Sequence, residues 1–416
     1  MESYHAVMPD HTLDTLVEES HDLLPAAVDL RRELHRWPEQ GIHNPITRDR
    51  ILESLESLNL GVTRHTTTSG VAALLTGALP GPTVLLRADT DALPMPEDTG
   101  LDYSSRVERT MHACGHDTHV AMLAGAARLL AARKDTLRGR VLFMFQPGEE
   151  GHHGARFMLE EGLLDVPALA DGTPSPITGA YALHTTSAAH TGVIASRPGP
   201  IMASADRLLI TVTGRGGHAS EPFRTIDPIP IACEIVQALQ TMVTRRIDVF
   251  DPSVVTVARI TAGTTNNVIP ETAEIEGTIR AVSERTRSKV HDGIKRVAEG
   301  VASAHEASVS VEIDYGYPVT VNGVDAANFG LDLARSIVGP DRVATLPHPV
   351  MGAEDFSYVL QRVPGAMLFL GGTPWDKDTA TAAPNHSNRV FFDEQAMVSG
   401  MAMYAGMALR HLDTQP

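Results

Sequence analysis

Nine consecutive positions, Met111 to His119, hold three imidazoles, a thiol and a carboxylate (Met-His-Ala-Cys-Gly-His-Asp-Thr-His). A segment this dense in donors constrains the fold. Each donor buried without a partner costs free energy, so the chain must leave the segment in water or bring it to something that takes its lone pairs. A transition metal does that, and thiolate, imidazole and carboxylate are the ligands zinc accepts. Further donors recur downstream at predicted strand ends, which favours the metal.

The spacing of apolar residues predicts helices over Leu13–Trp37 and Ile46–Leu60 and strands over Gly70–Thr76 and Thr83–Arg87. The Val-Leu-Leu centre of the latter suits a strand buried on both faces. A helix over Val120–Lys134 and strands over Arg140–Phe145 and Ile177–Leu183 continue the alternation. This pattern implies an α/β fold with a mostly parallel sheet and helices on both faces. In such sheets ligands sit beyond the carboxyl ends of the strands. Asp89 and Asp91 follow one strand, Glu149 and Glu150 the next, and His184 a third.

Near residue 200 the pattern changes. Strands at Arg207–Thr213, Ser253–Ile260, Thr272–Val282 and Val309–Tyr315 and helices at Pro228–Val249 and Glu284–Ala304 make the order β-α-β-β-α-β, the ferredoxin-like arrangement. The expected organisation is a catalytic domain in two parts, 1–202 and 317–416, with an inserted domain at 203–316. The second part brings helices, an apolar strand Gly365–Gly371 and a final helix Asp393–Leu412.

With 34 basic and 51 acidic residues in 416, the formal net charge is −17. Such a surface disfavours nucleic acid and anionic membrane as partners. Only two cysteines are present, Cys114 and Cys233, which excludes a disulfide framework and points to a reducing, cytoplasmic home. The opening Met-Glu-Ser-Tyr-His lacks the basic and apolar regions of a secretory signal.

Four constellations carry chemistry. Arg87-Ala88-Asp89-Thr90-Asp91-Ala92-Leu93-Pro94 sets two carboxylates at i, i+2 after a buried strand. The Cys/His cluster is the second. The third, Gln146-Pro147-Gly148-Glu149-Glu150-Gly151, holds adjacent glutamates on a glycine-flanked turn; their repulsion calls for a cation or a separate task for each. The fourth comprises two isolated imidazoles, His184 at a strand end and His386 in Pro384-Asn385-His386-Ser387. The donors exceed what one tetrahedral zinc needs, which suggests two metal ions. Two metals about 3.5–4 Å apart polarise a carbonyl and lower the pKa of bound water to about 7. One glutamate can bind metal while the other, unliganded, serves as base. The chemistry expected is metal-assisted hydrolysis of an amide.

On these residues the chain resembles the binuclear metallo-amidohydrolase and carboxypeptidase family, which includes aminoacylases, hippurate hydrolase and the plant auxin-conjugate hydrolases. The resemblance runs from Leu34-His35-Arg36-Trp37-Pro38-Glu39 to Asn385-His386-Ser387 and takes in Gly352-Ala353-Glu354-Asp355-Phe356. It implies metal ligands Cys114, His116, Glu150, His184 and His386, with Cys114 a thiolate. It implies Glu149 as general base and Asp91 as the carboxylate that orients a ligand. In the insert, Gly214-Arg215-Gly216-Gly217-His218-Ala219-Ser220 resembles the family's lid motif. His218 would there steady the oxyanion in the partner subunit's site, and Asn267 would contact substrate. The insert is thus expected to act as a lid and to form a homodimer or homotetramer.

The implied reaction splits an N-acyl amino acid, a small-molecule substrate, into a carboxylic acid and a free amino acid. Its cofactors are two divalent ions, Zn²⁺ or Mn²⁺, with Co²⁺ or Ni²⁺ also compatible with the donors. A dipeptidase or carboxypeptidase of the same family is the alternative. Two further readings, a Cys114 nucleophile and an inactive binding scaffold, leave Glu149 without a task. One departure concerns specificity: His152 and His153 stand where the family usually continues with glycine.

Overall fold

A computed structural model describes residues 10–169 and 171–414; the leader reading at Met1 to His5 falls outside them. The chain divides into two compact units. One takes in the described residues up to Gly199, with Val321–Pro347 and those from Tyr358 on; the other comprises Pro200–Thr320 and His348–Ser357.

The first unit is built on an eight-stranded sheet. Its strand order is Gly61–Arg64, Val71–Thr76, Arg138–Gln146, Leu79–Asp89, Ile177–His190, Gly365–Thr373, Ile194–Ser196, Val343–Thr345. Four of its seven pairings are parallel, including all three at the centre. Val84, Leu85 and Leu86 have no exposed surface, as expected of a strand covered on both sides. The helices Asp10–Arg36, His116–Ala131 and Ala396–Thr414 pack on one another and contribute most of the unit's core. A mixed α/β fold with a large, mostly parallel central sheet is therefore observed.

Two boundaries differ from expectation, and both bear on the site. The strand predicted over Thr83–Arg87 extends from Leu79 to Asp89, so Asp89 ends the strand instead of following it. The helix predicted over Val120–Lys134 spans His116–Ala131. His, Asp and Thr are weak helix formers, so the apolar pattern begins only at Val120. The actual start is set by Gly115, whose φ of 89° is left-handed. A Cβ there would collide with the Thr185 hydroxyl and crowd the Phe392 ring.

In the second unit the strands Ser253–Ala262, Thr272–Ala281, Asp206–Thr213 and Ser308–Tyr315 lie side by side in that order, all antiparallel. With the helices Pro228–Arg246 and Glu284–Ala304 they give the chain order β-α-β-β-α-β. Leu208, Ile210 and Val212 alternate inward, and the two helices close this core from one face with Ile231, Ile235, Leu239, Val290 and Ile294. Each helix starts on a side-chain cap: Asp227 accepts from the Ile229 N–H and Ser283 from the Thr286 N–H. The segment His348–Ser357 joins this unit through a bridge between Met202 and Val350.

Candidate metal centre

The central strands bring the chemistry-bearing groups to one place in the first unit. Asp89 stands in register with Gln146, so the Pro147-Gly148-Glu149-Glu150 turn leaves the sheet beside Asp91. His184 lies on the next strand over, Ile177–His190, opposite Phe369. The helix that begins at His116 carries His116 and His119 in its first turn.

Donors far apart in sequence converge here. Cys114 Sγ lies 3.4 Å from His184 Nε2 and 3.3 Å from His386 Nε2. His386 Nε2 is 3.3 Å from Glu150 Oε1, and His116 Nε2 is 3.9 Å from Glu149 Oε2. Within each of three sets the ligand atoms lie within 4.8 Å of one another: Cys114, His116 and His184; Cys114, Glu150 and His386; His116, Glu149 and Glu150. Cys114, His116, Glu149 and His184 are buried, while Glu150 and His386 are partly open to solvent.

The surrounding hydrogen bonds fix which atoms face inward. His116 Nδ1 donates to the Asp91 carbonyl at 2.8 Å, and His184 Nδ1 donates to the Thr185 carbonyl at 2.8 Å. With Nδ1 of each ring committed to a carbonyl, Nε2 is the atom each turns toward the cluster, the one a metal ligand would use. The carboxylate of Asp91 has another use: its two oxygens accept the backbone N–H groups of Glu149 and Glu150 at 2.8 and 3.0 Å. Asp91 therefore sets the glutamate turn with its side chain and the His116 tautomer with its carbonyl.

His386 has a left-handed backbone, φ 67°, a strained state that persists only where neighbours enforce it. Its N–H donates to the Ala113 carbonyl at 2.9 Å. Its neighbour Asn385 accepts from the Ser187 N–H at 3.0 Å and donates to the Thr185 carbonyl at 3.0 Å.

The donors fit a divalent cation. His116 Nε2 is buried without a hydrogen-bond partner, an arrangement that is costly unless something occupies the lone pair. Hydrogen bonds with Cys114 and Glu150 push the His386 pKa up to about 10. Burial would lower that of His116, yet Asp89 and Cys114 hold it well above the usual imidazole range. Both shifts have one physical source, a cavity whose thiol and carboxylates favour positive charge among them.

Arg87 was not singled out by sequence as a supporting residue, whereas Asp89 and His119 stand within the motifs read there. Arg87 donates to Asp89 Oδ2 at 2.5 Å and to Gln146 Oε1 at 2.9 Å. His119 accepts the Thr185 N–H on Nε2 at 2.7 Å, so its Nδ1 carries the proton it gives to Asp89. The signal was present: an arginine inside the apolar run Val84-Leu85-Leu86-Arg87-Ala88 needs a buried anion, and Asp89 is next on the same face of the strand.

In the second unit the residues singled out as His218 and Asn267 come together. The short strands Gly217–His218 and Val268–Ile269 pair, with His218 opposite Val268, and the Asn267 carbonyl accepts from the Ala219 N–H at 3.1 Å. His218 is exposed, and its Nδ1 accepts the Ser220 N–H at 3.1 Å, which leaves the proton on Nε2. His153 Nδ1 meets the Tyr358 hydroxyl at 2.9 Å in the first unit, and the His152 ring packs on Gly41.

Imidazole, thiol and carboxylate donors beside an additional glutamate are what metal-assisted hydrolysis requires. The chain belongs to peptidase family M20/M25/M40, whose model matches residues 85–410. It is 37% identical over 387 residues to thermostable carboxypeptidase 1 of Saccharolobus solfataricus, covering 92% of this chain and 94% of that one. It is 35% identical over 388 residues to N-acetylcysteine deacetylase of Bacillus subtilis, covering 93% and 97%. The crystal structure of the YXEP protein of Bacillus subtilis, a dinuclear metal binding peptidase from the M20 family, matches with a TM-score of 0.80 at 32% identity. That match covers 95% of this chain and 99% of that one.

Proposed function

We propose that the chain is a metal-dependent amidohydrolase that splits the amide bond of N-acyl amino acids, releasing a carboxylic acid and a free amino acid. The observation that carries this reading is the convergence on Cys114, whose sulfur lies 3.4 Å from His184 and 3.3 Å from His386, with His386 3.3 Å from Glu150 and Glu149 next to Glu150 on the same turn. Cys114, His116, Glu150, His184 and His386 would hold two divalent cations, Zn²⁺ or Mn²⁺ by donor type, with Co²⁺ and Ni²⁺ also suited. Bound there, the cations supply Lewis acidity and make water acidic enough to lose its proton near neutral pH.

Glu149 takes the proton from the attacking water and returns it to the leaving amine nitrogen. Asp91 keeps Glu149 and Glu150 in place by accepting both of their N–H groups. His218, with its proton on Nε2, donates to the oxyanion that forms at the substrate carbonyl, and Asn267 beside it contacts the substrate. In this reading the second unit acts as a lid and dimerisation domain, and His218 serves the partner subunit's site. Mixing inactive Glu149→Ala and His218→Ala proteins should then restore part of the activity.

The relative named N-acetylcysteine deacetylase supports an N-acyl amino acid as substrate. The relative named carboxypeptidase supports the second reading, cleavage of a peptide bond. A panel of N-acetyl, N-benzoyl and longer N-acyl amino acids, run beside dipeptides on protein loaded with each divalent ion, separates the two. Turnover of dipeptides alone would reject the first. A cytosolic home is part of this proposal, supported by the two free cysteines. Among the described residues no helix is long and apolar enough to cross a membrane.

A further inference from the structure

The helix Glu284–Ala304 of the second unit turns an unusual face outward. Arg285, Ser288, Lys289, Asp292 and Arg296 stand at i, i+3, i+4, i+7 and i+11, hence on one side of the helix. Arg246, from the last turn of the helix Pro228–Arg246, faces the same space. Together they line a cavity of about 410 Å³ with an apolar floor from Met242 and Ile247.

This is a concentration of positive charge in a chain of net charge −17. Elsewhere in the same unit several arginines are ion-paired: Arg207 and Arg259 with Glu276, and Arg287 with Asp206 and Glu284. Around the cavity, Arg285 reaches Asp251 at 3.0 Å. Arg246, Lys289 and Arg296 make no ion pair among the described residues, and Asp292 is the one carboxylate in the lining. Three unpaired cations around one space repel each other, and a multiply charged anion relieves that repulsion at several points at once. The Ser288 hydroxyl adds a neutral donor.

We infer that this cavity is a binding site for a small, soluble phosphate-bearing molecule. A phosphate monoester carries close to two negative charges at neutral pH and three acceptor oxygens, which matches a cluster of guanidinium and ammonium donors. The apolar floor would take the organic part. A membrane headgroup offers the same phosphate, but the overall negative charge opposes approach to an anionic surface.

Calorimetric titration of the full, metal-loaded chain with glycerol 3-phosphate, with glycerol as the neutral control, tests the inference. One saturable site per chain is expected for the phosphate ester and none for glycerol, with affinity falling as salt rises. The triple variant Arg246→Ala, Lys289→Ala, Arg296→Ala should bind about tenfold more weakly or worse, and Asp292→Asn should bind a few-fold more tightly. These side chains are exposed, so the variants should fold, as circular dichroism would verify. The absence of saturable binding, or binding unchanged in the triple variant, would overturn the inference. So would capture by phosphatidylglycerol vesicles with no affinity for the free ester. Amide hydrolysis is read separately, so failure here leaves the proposed reaction untouched.

Discussion

The sulfur of Cys114 lies 3.3 Å from Nε2 of His386, a residue 272 positions further along the chain. The contact depends on a loop that puts His386 in a left-handed conformation, and that loop is held by Asn385. Replacing Asn385 with Ala removes those bonds while leaving every donor in place. Affinity for the divalent ions should fall about 10–100-fold, measured by titration against a chelating dye. Unchanged affinity would mean that the loop is held by something else.

Glu149 is the group to separate binding from chemistry. The Glu149→Ala protein should retain its metal, measured by elemental analysis, while turnover of the best N-acyl amino acid falls by about 10²–10⁴-fold. Persistent hydrolysis would show that another group takes the proton.

Gly115 starts the helix that carries His116. Its Ala variant meets a left-handed φ and a filled space at once, and should lose about 2–4 kcal/mol of stability, read from the urea midpoint. A loss below 1 kcal/mol would mean that the helix start can shift at little cost.

His411 gives a pH signature away from the metal centre. Its ring is buried against Thr178 and Tyr181, and burial pushes its pKa down to about 4. Unfolded, a histidine titrates near 6.5, so between these values the unfolded chain binds more protons than the folded one. The stabilisation is therefore complete above pH 6.5 and is lost as pH falls toward 4. At pH 5 the loss should be about 2 kcal/mol. The His411→Gln protein should lose less between pH 7 and pH 5, and identical profiles would refute the assignment.

In the second unit, Asp206 accepts from Arg287 at 3.0 Å and from His291 at 2.7 Å, and all three are buried. Asp206→Ala leaves the Arg287 charge without its main partner and should cost about 3–5 kcal/mol, seen as a lower melting temperature. A change under 1 kcal/mol would mean that water replaces the carboxylate.

Much of the fold was legible because burial repeats with the period of the element. The helix over Glu284–Ala304 was read to the residue, since a strong amphipathic pattern follows a Ser283 cap. The helix at His116 was misplaced by four residues, because its first turn is spent on polar groups with their own partners. Short strands such as Ile194–Ser196 and Val343–Thr345 escaped for want of a pattern: three residues carry no period.

The residue types by themselves determined the chemistry, since thiol, imidazole and paired carboxylates at strand ends admit few other uses, and local spacing determined the α/β alternation. Only the tertiary structure decided which lone pairs face the cavity, that Asp91 holds the glutamate turn through two backbone N–H groups, and that Arg87, Asp89 and His119 support the centre. Helix and strand periods act over a few residues, whereas the direction of a ring nitrogen is fixed by hydrogen bonds to carbonyls that chain order does not place nearby.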